Sequence, residues 1–517
     1  MFPWHDAYWA ETVRYCAGAG LFAERGIAPE AFAGLSPELR PPIYTHFDTP
    51  EAYRYLVIHK GLLEQYRFET LAAFRRDGTY VFGNPVFVVL ARGGQVGAAA
   101  DHLGPLDEYL ATGRQPSPRP CPDRTALFDR WRGVDRAVLP AGTKRVAVIS
   151  ANGMGNFGDD LLAHATCRLI EQALGPCDIR VLAPPVDPRS VEGCDLVVIG
   201  GGGLLYDVGG GGHFYDNDLP NVTNYMAPLL EAQARDIPTF ALGQGVTGIT
   251  SALGRDIYRR VLSRCNGVSV RDRESARVLD EIGVTCPVAT LPDLAFLLGP
   301  EARRATGRRA RNPMPASERR PRVLVAVSDP AWFMGPLIGE PTPYQNSLIR
   351  FGETNRWFLS TYKDRLDIQF FVQSRDDLSF CEQVEEIGDF PIIRPDRLDL
   401  DQALAHYAEA DLVVTSRLHS LVPACLMRKP VIVALWDYIA CKNERLILES
   451  ARSLQANAIR MRDYTAEELG FRIERFLAGG LPGISDEELA RAEEAAAKNV
   501  AFIRRVLLQP AHNYLGA

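Results

Sequence analysis

The sequence predicts an α/β protein of two Rossmann-like domains facing a cleft, preceded by an N-terminal α/β extension. Short apolar runs alternate with helix-period segments over residues 143–298, the rhythm of a parallel, doubly wound sheet. That rhythm stops across 299–321 and restarts at 322, so two similar halves stand in tandem. A chain of 517 residues is also too long for one ordinary core.

Residues 1–140 are rich in aromatics and prolines. They hold two strand-like runs, YRYLVIHKG (53–61) and YVFGNPVFVVLA (80–91), the second shaped like a β-hairpin at the end of a sheet. The Pro-rich RQPSPRPCPD (114–123) reads as a linker. The first domain, 143–298, opens with the strand KRVAVISA (144–151), a glycine loop and the helix DDLLAHATCRLIEQAL (159–174). CDLVVIGGGGLL (194–205), IPTFALGQG (237–245) and NGVSVRD (266–272) supply further strands. The arginine-rich, apolar-poor stretch 299–321 reads as a solvated basic linker. In the second domain, 322–517, the strands are RVLVAVS, LDIQFFVQS, ADLVVTS and KPVIVAL. It closes on a long amphipathic helix, 485–508, with Ser485 as N-cap. Paired Rossmann-like domains place a site in the cleft between them.

The net charge of −7 and pI near 5.8 leave no electrostatic footprint for nucleic acid. The N-terminus lacks the pattern of a signal peptide, and no apolar run approaches the ~18 residues that span a bilayer. Ten cysteines are scattered without C-x-x-C or metal-ligand spacing. Cys167, Cys194 and Cys425 fall in apolar segments, as small buried hydrophobes of a reducing compartment do. The expectation is a cytoplasmic protein with no metal site and no resident cofactor.

Four stretches carry chemistry. NGMGNFGDD (152–160) is a tight turn leading into a helix, whose two aspartates suit a hydroxyl-rich ligand better than a pyrophosphate. IGGGGLLYD (199–207) strips side chains from a strand end, which makes Gly201 and Gly202 a candidate cleft wall. A second glycine run follows, with His213, and reads as an exposed loop. VSVRDRESARVLDEIG (268–283) sets Arg271 at a carboxyl strand end, facing either the cleft or Asp272 and Glu274. Asp272 can cap the helix that Gly283 ends. In DLVVTSRLHSLVPACLMRKPVIVAL (411–435), Leu418, Leu421, Val422, Cys425 and Leu426 make one buried helix face. Ser416 as N-cap would put Arg417 and His419 in the first turn, where a cation is misplaced unless an anion binds there. Lys442 lies just past the next strand, within reach of such a pocket.

Taken in order, these pieces resemble the polysaccharide pyruvyl transferase family. The likeness rests on NFGD (156–159), GGGG (200–203), GQGV (243–246), VSVRDRES (268–275), PDLAF (292–296), SRLHS (416–420) and the strand leading to Lys442. It covers about 143–450. It implies a glycosyltransferase-B-like fold and transfer of the enolpyruvyl group of phosphoenolpyruvate to a sugar as a pyruvate ketal. It further implies that Arg271, Arg417, Leu418 and His419 contact phosphoenolpyruvate, the donor substrate, with His419 as general acid. Ser416, Lys442, Asn156, Gly158, Asp159, Gly201, Gly202 and Gln244 complete the expected substrate-binding set, in a cleft of net positive charge with Asp159 and Asp160 facing it. The expected partner is a glycan or lipid-linked saccharide acceptor; peripheral membrane association and a homo-oligomer stay open. The first 140 residues depart from the family pattern and are expected to form a module apart from this site. Two rival functions remain. A nucleotide-sugar glycosyltransferase would want a carboxylate pair for ribose in the second domain, where Asp437 is the nearby candidate. A non-catalytic glycan-binding or assembly protein would not need Arg271, Arg417 and His419 together.

Overall fold

The computed structural model describes residues 6–42, 49–93, 102–112, 124–140, 142–153, 155–184, 186–206, 219–246, 248–249, 252–309, 319–330, 341–374, 377–395, 398–436 and 441–508. These form two compact units, Met1–Pro120 and Cys121–Ala517.

The first unit is a five-stranded mixed sheet. Its strands are β1 (Gly26–Ile27), β2 (Leu39–Arg40), β3 (Tyr55–His59), β4 (Thr79–Gly83) and β5 (Phe87–Ala91), ordered β2-β1-β3-β5-β4. The expected hairpin is β4–β5; Asn84 shapes its turn by accepting from the N–H groups of Val86 (3.0 Å) and Phe87 (2.8 Å). Every residue of β5 is buried, because apolar clusters cover both faces of the sheet. The helix Ala7–Gly18 covers one face, and Phe68–Asp77 with Gly104–Thr112 covers the other.

The second unit holds two wholly parallel sheets, each flanked by helices. The first contains β6 (Lys144–Ile149), β7 (Cys177–Leu182), β8 (Leu196–Ile199), β9 (Gly202–Leu205), β10 (Thr239–Val246), β11 (Gly267–Val270) and β12 (Val288–Thr290). Their order is β7-β6-β8-β10-β11-β12, with β9 also on β10. The second contains β13 (Arg322–Ala326), β14 (Asp367–Phe371), β15 (Ile392–Ile393), β16 (Leu412–Thr415), β17 (Val431–Leu435) and β18 (Ala458–Arg460). Here the order is β15-β14-β13-β16-β17-β18, the dinucleotide-fold order with its reversal between β13 and β16. The first sheet reverses between β6 and β8. Ligands of open α/β sheets collect at such reversals, beyond the carboxyl strand ends, so both candidate loops stand where the topology opens a crevice. This is the two-Rossmann-domain, glycosyltransferase-B-like architecture.

Three boundaries differ from the sequence reading. Residues 124–138 pack with the second unit: Arg124 N donates to Val181 O (3.1 Å), and Phe128 is fully buried. The Arg132 guanidinium is wholly buried against Asp129 and Glu171. Residues 299–309 are a helix, not a solvated linker. Ala302, Ala305 and Glu301 face inward while Arg303 and Arg304 face solvent, and so small an apolar stripe leaves little trace in composition. The C-terminal helix Asp486–Leu508, capped by Ser485 as expected, returns to the first domain. Phe502 packs under Gly267 and beside Val506 in the core, and Arg504 Nε donates to Ala173 O (2.9 Å). One apolar cluster therefore runs unbroken from the first sheet to the second. No described helix is long and apolar enough to cross a membrane.

Phe128→Ala should destabilise the second unit by about 3–5 kcal/mol in denaturant unfolding, as a fully buried aromatic does. A chain beginning at residue 138 should lose at least as much, whereas one beginning at residue 121 should keep the native transition. Equal stability of the two truncated chains would show that residues 124–138 are peripheral.

Candidate active site

The carboxyl end of β16 is tied to β13 by two hydroxyls. Thr415 Oγ1 donates to Ala326 O (2.8 Å), and Ser416 Oγ accepts from Ser328 N (2.8 Å). With its hydroxyl so engaged, Ser416 does not cap the helix. Arg417 is the N-cap residue (φ −100°, ψ 129°), without a side-chain cap. In the helix Leu418–Leu426, Pro423 cannot donate to the His419 carbonyl, and His419 sits off helical geometry at φ −85°, ψ 16°. The Arg417 guanidinium turns to the buried Asp377, with Nε at 3.1 Å and Nη2 also bonded.

His419 is buried, and its Nε2 has no hydrogen-bond partner among the described residues. It lies 3.6 Å from Asp293 Oδ2, an electrostatic contact longer than a hydrogen bond. Asp293 is the acid of PDLAF, buried just beyond β12. Its Oδ1 accepts from Ala295 N (3.0 Å), and its Oδ2 accepts from Arg271 Nη1 (3.3 Å). One carboxylate thus joins the arginine of the first domain to the histidine of the second. Burial opposes its charge, yet His419, Arg271 and the Ala295 N–H together hold it well below the usual carboxylate range.

Glycines make room for these side chains. A Cβ at Gly245 would lie 2.6 Å from Arg271 Nη2. One at Gly203 would lie 2.6 Å from Lys442 Nζ and 3.6 Å from Arg271 Nη2, so both cations flank the same point. One at Gly158 would lie 2.5 Å from His419 Nδ1. Arg271, Asp293, Leu418, Lys442 and Arg445 line a narrow pocket of about 10 Å³, the room of about one water.

Lys442 heads the helix Lys442–Ser450 and has no hydrogen-bond or ion-pair partner among the described residues. Burial, then Arg271, push its ammonium down to about 8; Asp159 opposes this, and Arg417 and Arg445 add to it. Burial, with help from Asp160, pushes the Asp159 carboxyl up to about 6, against His419, Lys442 and Arg417. The net positive cleft expected from sequence is replaced by near balance. Arg271 meets Asp293, Arg417 meets Asp377, and Arg445 Nη1 donates to Asp272 Oδ1 (3.2 Å). Buried charges are retained in proteins when paired, and here only Lys442 and Asp159 lack close partners among the described residues.

The sequence model of the Polysaccharide pyruvyl transferase family matches residues 156–438, more than half of the chain. The chain belongs to that family. No curated protein matches the chain. Among solved structures it is similar to the UDP-GlcNAc 2-epimerase of Neisseria meningitidis bound to UDP-GlcNAc, at 12% identity over 71% of this chain and 100% of that one, with a TM-score of 0.41. It is also similar to the sucrose-phosphate synthase of Thermosynechococcus elongatus, at 13% identity over 70% of this chain and 99% of that one, with a TM-score of 0.42.

Several family-motif residues work on the scaffold. Asn156 Oδ1 caps its own helix by accepting from Gly158 N (2.9 Å), and Asn156 pairs with Ser374 across the domains. Gly201 backs onto Leu162 and Leu294, and Gly202 has φ +144°. The Gln244 amide NH2 donates to the carbonyls of Gly200 and Leu242. Asp160 accepts from Arg124 Nη1 (2.6 Å) and Gly153 N (2.9 Å), turned away from Asp159. Asp272 caps the helix Arg273–Glu281 as expected. Sequence reasoning missed Asp293, although it lies within a quoted motif, and also Gly203, Gly245, Asp377 and Arg445. Asp377 had no signal, since nothing local marks it as the partner of an arginine 40 positions away. His213, the second glycine run and Asp437 lie outside the described residues. Among the described residues, no group of three or more His, Cys, Asp or Glu side chains could hold a metal ion.

Asp159 titrates at about 6 against a usual 3.8, so the folded chain binds more protons than the unfolded chain between those values. Its contribution to stability therefore falls as pH rises through that window. Asp159→Asn should raise stability at pH 7 by about 1–3 kcal/mol and flatten the pH dependence between pH 4 and 6, read by urea unfolding at each pH. A less stable variant would place a satisfied, structural carboxylate there instead.

Proposed function

We propose that this chain transfers the enolpyruvyl group of phosphoenolpyruvate to a sugar, forming a pyruvate ketal across two hydroxyls of a glycan precursor. The observation that carries this reading is Lys442, an ammonium without a close partner among the described residues, set beside Arg271 and weakened by burial and then by the surrounding guanidinium groups. Such a place favours an anion, and a ligand bearing both a carboxylate and a phosphate would answer Lys442 and Arg271 at once. Arg417, anchored by Asp377 at the start of the helix Leu418–Leu426, stands on the opposite domain. Closure of the domains around the donor would set these groups without reorganisation during the reaction.

The chemistry needs a proton on the methylene carbon, which leaves oxocarbenium character on the adjacent carbon. One sugar hydroxyl attacks that carbon and loses its proton; phosphate then leaves, and the second hydroxyl closes the ring as its proton departs with the phosphate. His419 is the proposed proton donor: its Nε2 has no hydrogen-bond partner among the described residues and is steered by Asp293. Asp159, largely ionised at neutral pH, is the proposed acceptor of the first hydroxyl proton. No resident cofactor is called for in this scheme.

Phosphoenolpyruvate well above its Kd should stabilise the protein by roughly 2–4 kcal/mol in thermal unfolding. Its phosphate should also restore the proton affinity of Lys442, so that binding near pH 8 takes up protons, measured by calorimetry in two buffers of different ionisation enthalpy. Stabilisation by UDP or GDP sugars with none by phosphoenolpyruvate would favour a nucleotide-sugar glycosyltransferase.

His419→Gln should lower kcat by about 10²- to 10⁴-fold with little change in KM, because glutamine replaces a hydrogen bond and not a proton. Arg271→Ala should instead raise the KM for phosphoenolpyruvate strongly. Near-normal turnover in folded His419→Gln would move the acid elsewhere, with Asp159 the first candidate.

A further inference from the structure

A second cavity, of about 330 Å³, lies beside the start of the helix that carries Asp159 and Asp160. Its walls come from the helix Thr125–Arg132, from Asp160 and from the start of the helix Leu400–Glu409. That volume lies at the lower end of the range of small-molecule sites. Arg124, Leu127, Arg130 and Trp131 lie before the family match at 156–438.

The chemistry of the lining selects the ligand. Each arginine is already matched by a carboxylate: Arg124 Nη1 meets Asp160 at 2.6 Å, and Arg130 Nε meets Asp399 at 3.0 Å. The cavity therefore offers no net charge to a phosphate. It offers paired carboxylate oxygens, guanidinium N–H groups and the exposed NH2 of Gln402, whose Oε1 accepts from Asp399 N (2.9 Å), beside the indole of Trp131 and the side chain of Leu127. Alternating hydroxyl-binding groups with an aromatic platform suit a sugar ring, which is polar around its rim and apolar on its C–H faces. Trp131 is braced edge-on by Phe128 at 5.4 Å and His164 at 5.8 Å, so the platform is fixed. Asp160 points about 100° around the helix from Asp159. A chain of sugars could thus bind here while another of its units meets Asp159.

We infer that this cavity is a saccharide subsite, taking a neutral sugar unit of the acceptor distant from the unit that is modified. The inference rests on the transferase reading above. The test uses the full chain and neutral tetrasaccharides of glucose, galactose and mannose, each against its monosaccharide, with calorimetry and tryptophan fluorescence as readouts. At least one tetrasaccharide should bind tenfold or more tightly than its monosaccharide. The double substitution Arg130→Ala, Gln402→Ala, both at exposed positions, should lower that affinity about tenfold and leave phosphoenolpyruvate binding unchanged. Absence of any tetrasaccharide preference, or an unaltered affinity in the double variant, overturns the subsite. Saccharide binding sensitive to the double variant, in a chain that does not bind phosphoenolpyruvate, sinks the pyruvyl transfer reading alone.

Discussion

Asp293 is a carboxylate with almost no access to water, and a charge in that position persists only if opposite charges and N–H donors meet it. Arg271 and Ala295 meet it from the first domain, and His419 faces it from the second. Removing one partner of such a group leaves a buried charge uncompensated, at a cost of about 3–5 kcal/mol. The docking of the domains and the orientation of His419 are therefore set by one electrostatic centre. Other contacts hold the same arrangement. Phe157 N donates to Gln373 O (2.8 Å), and Arg273 N donates to Glu449 Oε1 (3.1 Å).

Around that centre the charges are arranged in two classes. Arg271, Arg417 and Arg445 have carboxylate partners and act as fixed positive walls. Lys442 and Asp159 carry charges that burial disfavours; Arg271 adds to that effect at Lys442, whereas His419, Lys442 and Arg417 oppose it at Asp159. A pocket lined by paired arginines and by one ammonium without a close partner among the described residues is electrostatically prepared for an anion, because binding relieves what folding does not.

The scaffold explains why these groups converge from distant parts of the chain. Each parallel sheet reverses its order once, and the loops at β6, β8, β13 and β16 all open at the carboxyl edges. Elements outside the family match modify this frame. The helix Thr125–Arg132 adds a wall on one side, and the C-terminal helix binds the first domain to the second through a continuous core.

Local rules were enough for much of this. Short continuous apolar runs followed by helical ones marked the parallel sheets, Asp272 and Ser485 were legible as caps, and SRLHS stood out as polar residues where a core was expected. Burial of Cys167, Cys194 and Cys425 followed from their apolar neighbours. What depended on tertiary structure was pairing. Ser416 has the chemistry of a cap but bonds Ser328, just beyond β13 and 88 positions earlier. Gln244 and Asn156 look like binding residues but satisfy backbone groups that the fold would otherwise strand. Gly203 and Gly245 resemble any loop glycines until Lys442 and Arg271 occupy the space beside them. Sequence carries each residue's preference for burial, turn or charge, because those preferences are local. Which carboxylate answers which arginine depends on contacts made only when both sheets close on one another, and that selects Asp293 as the centre of the site.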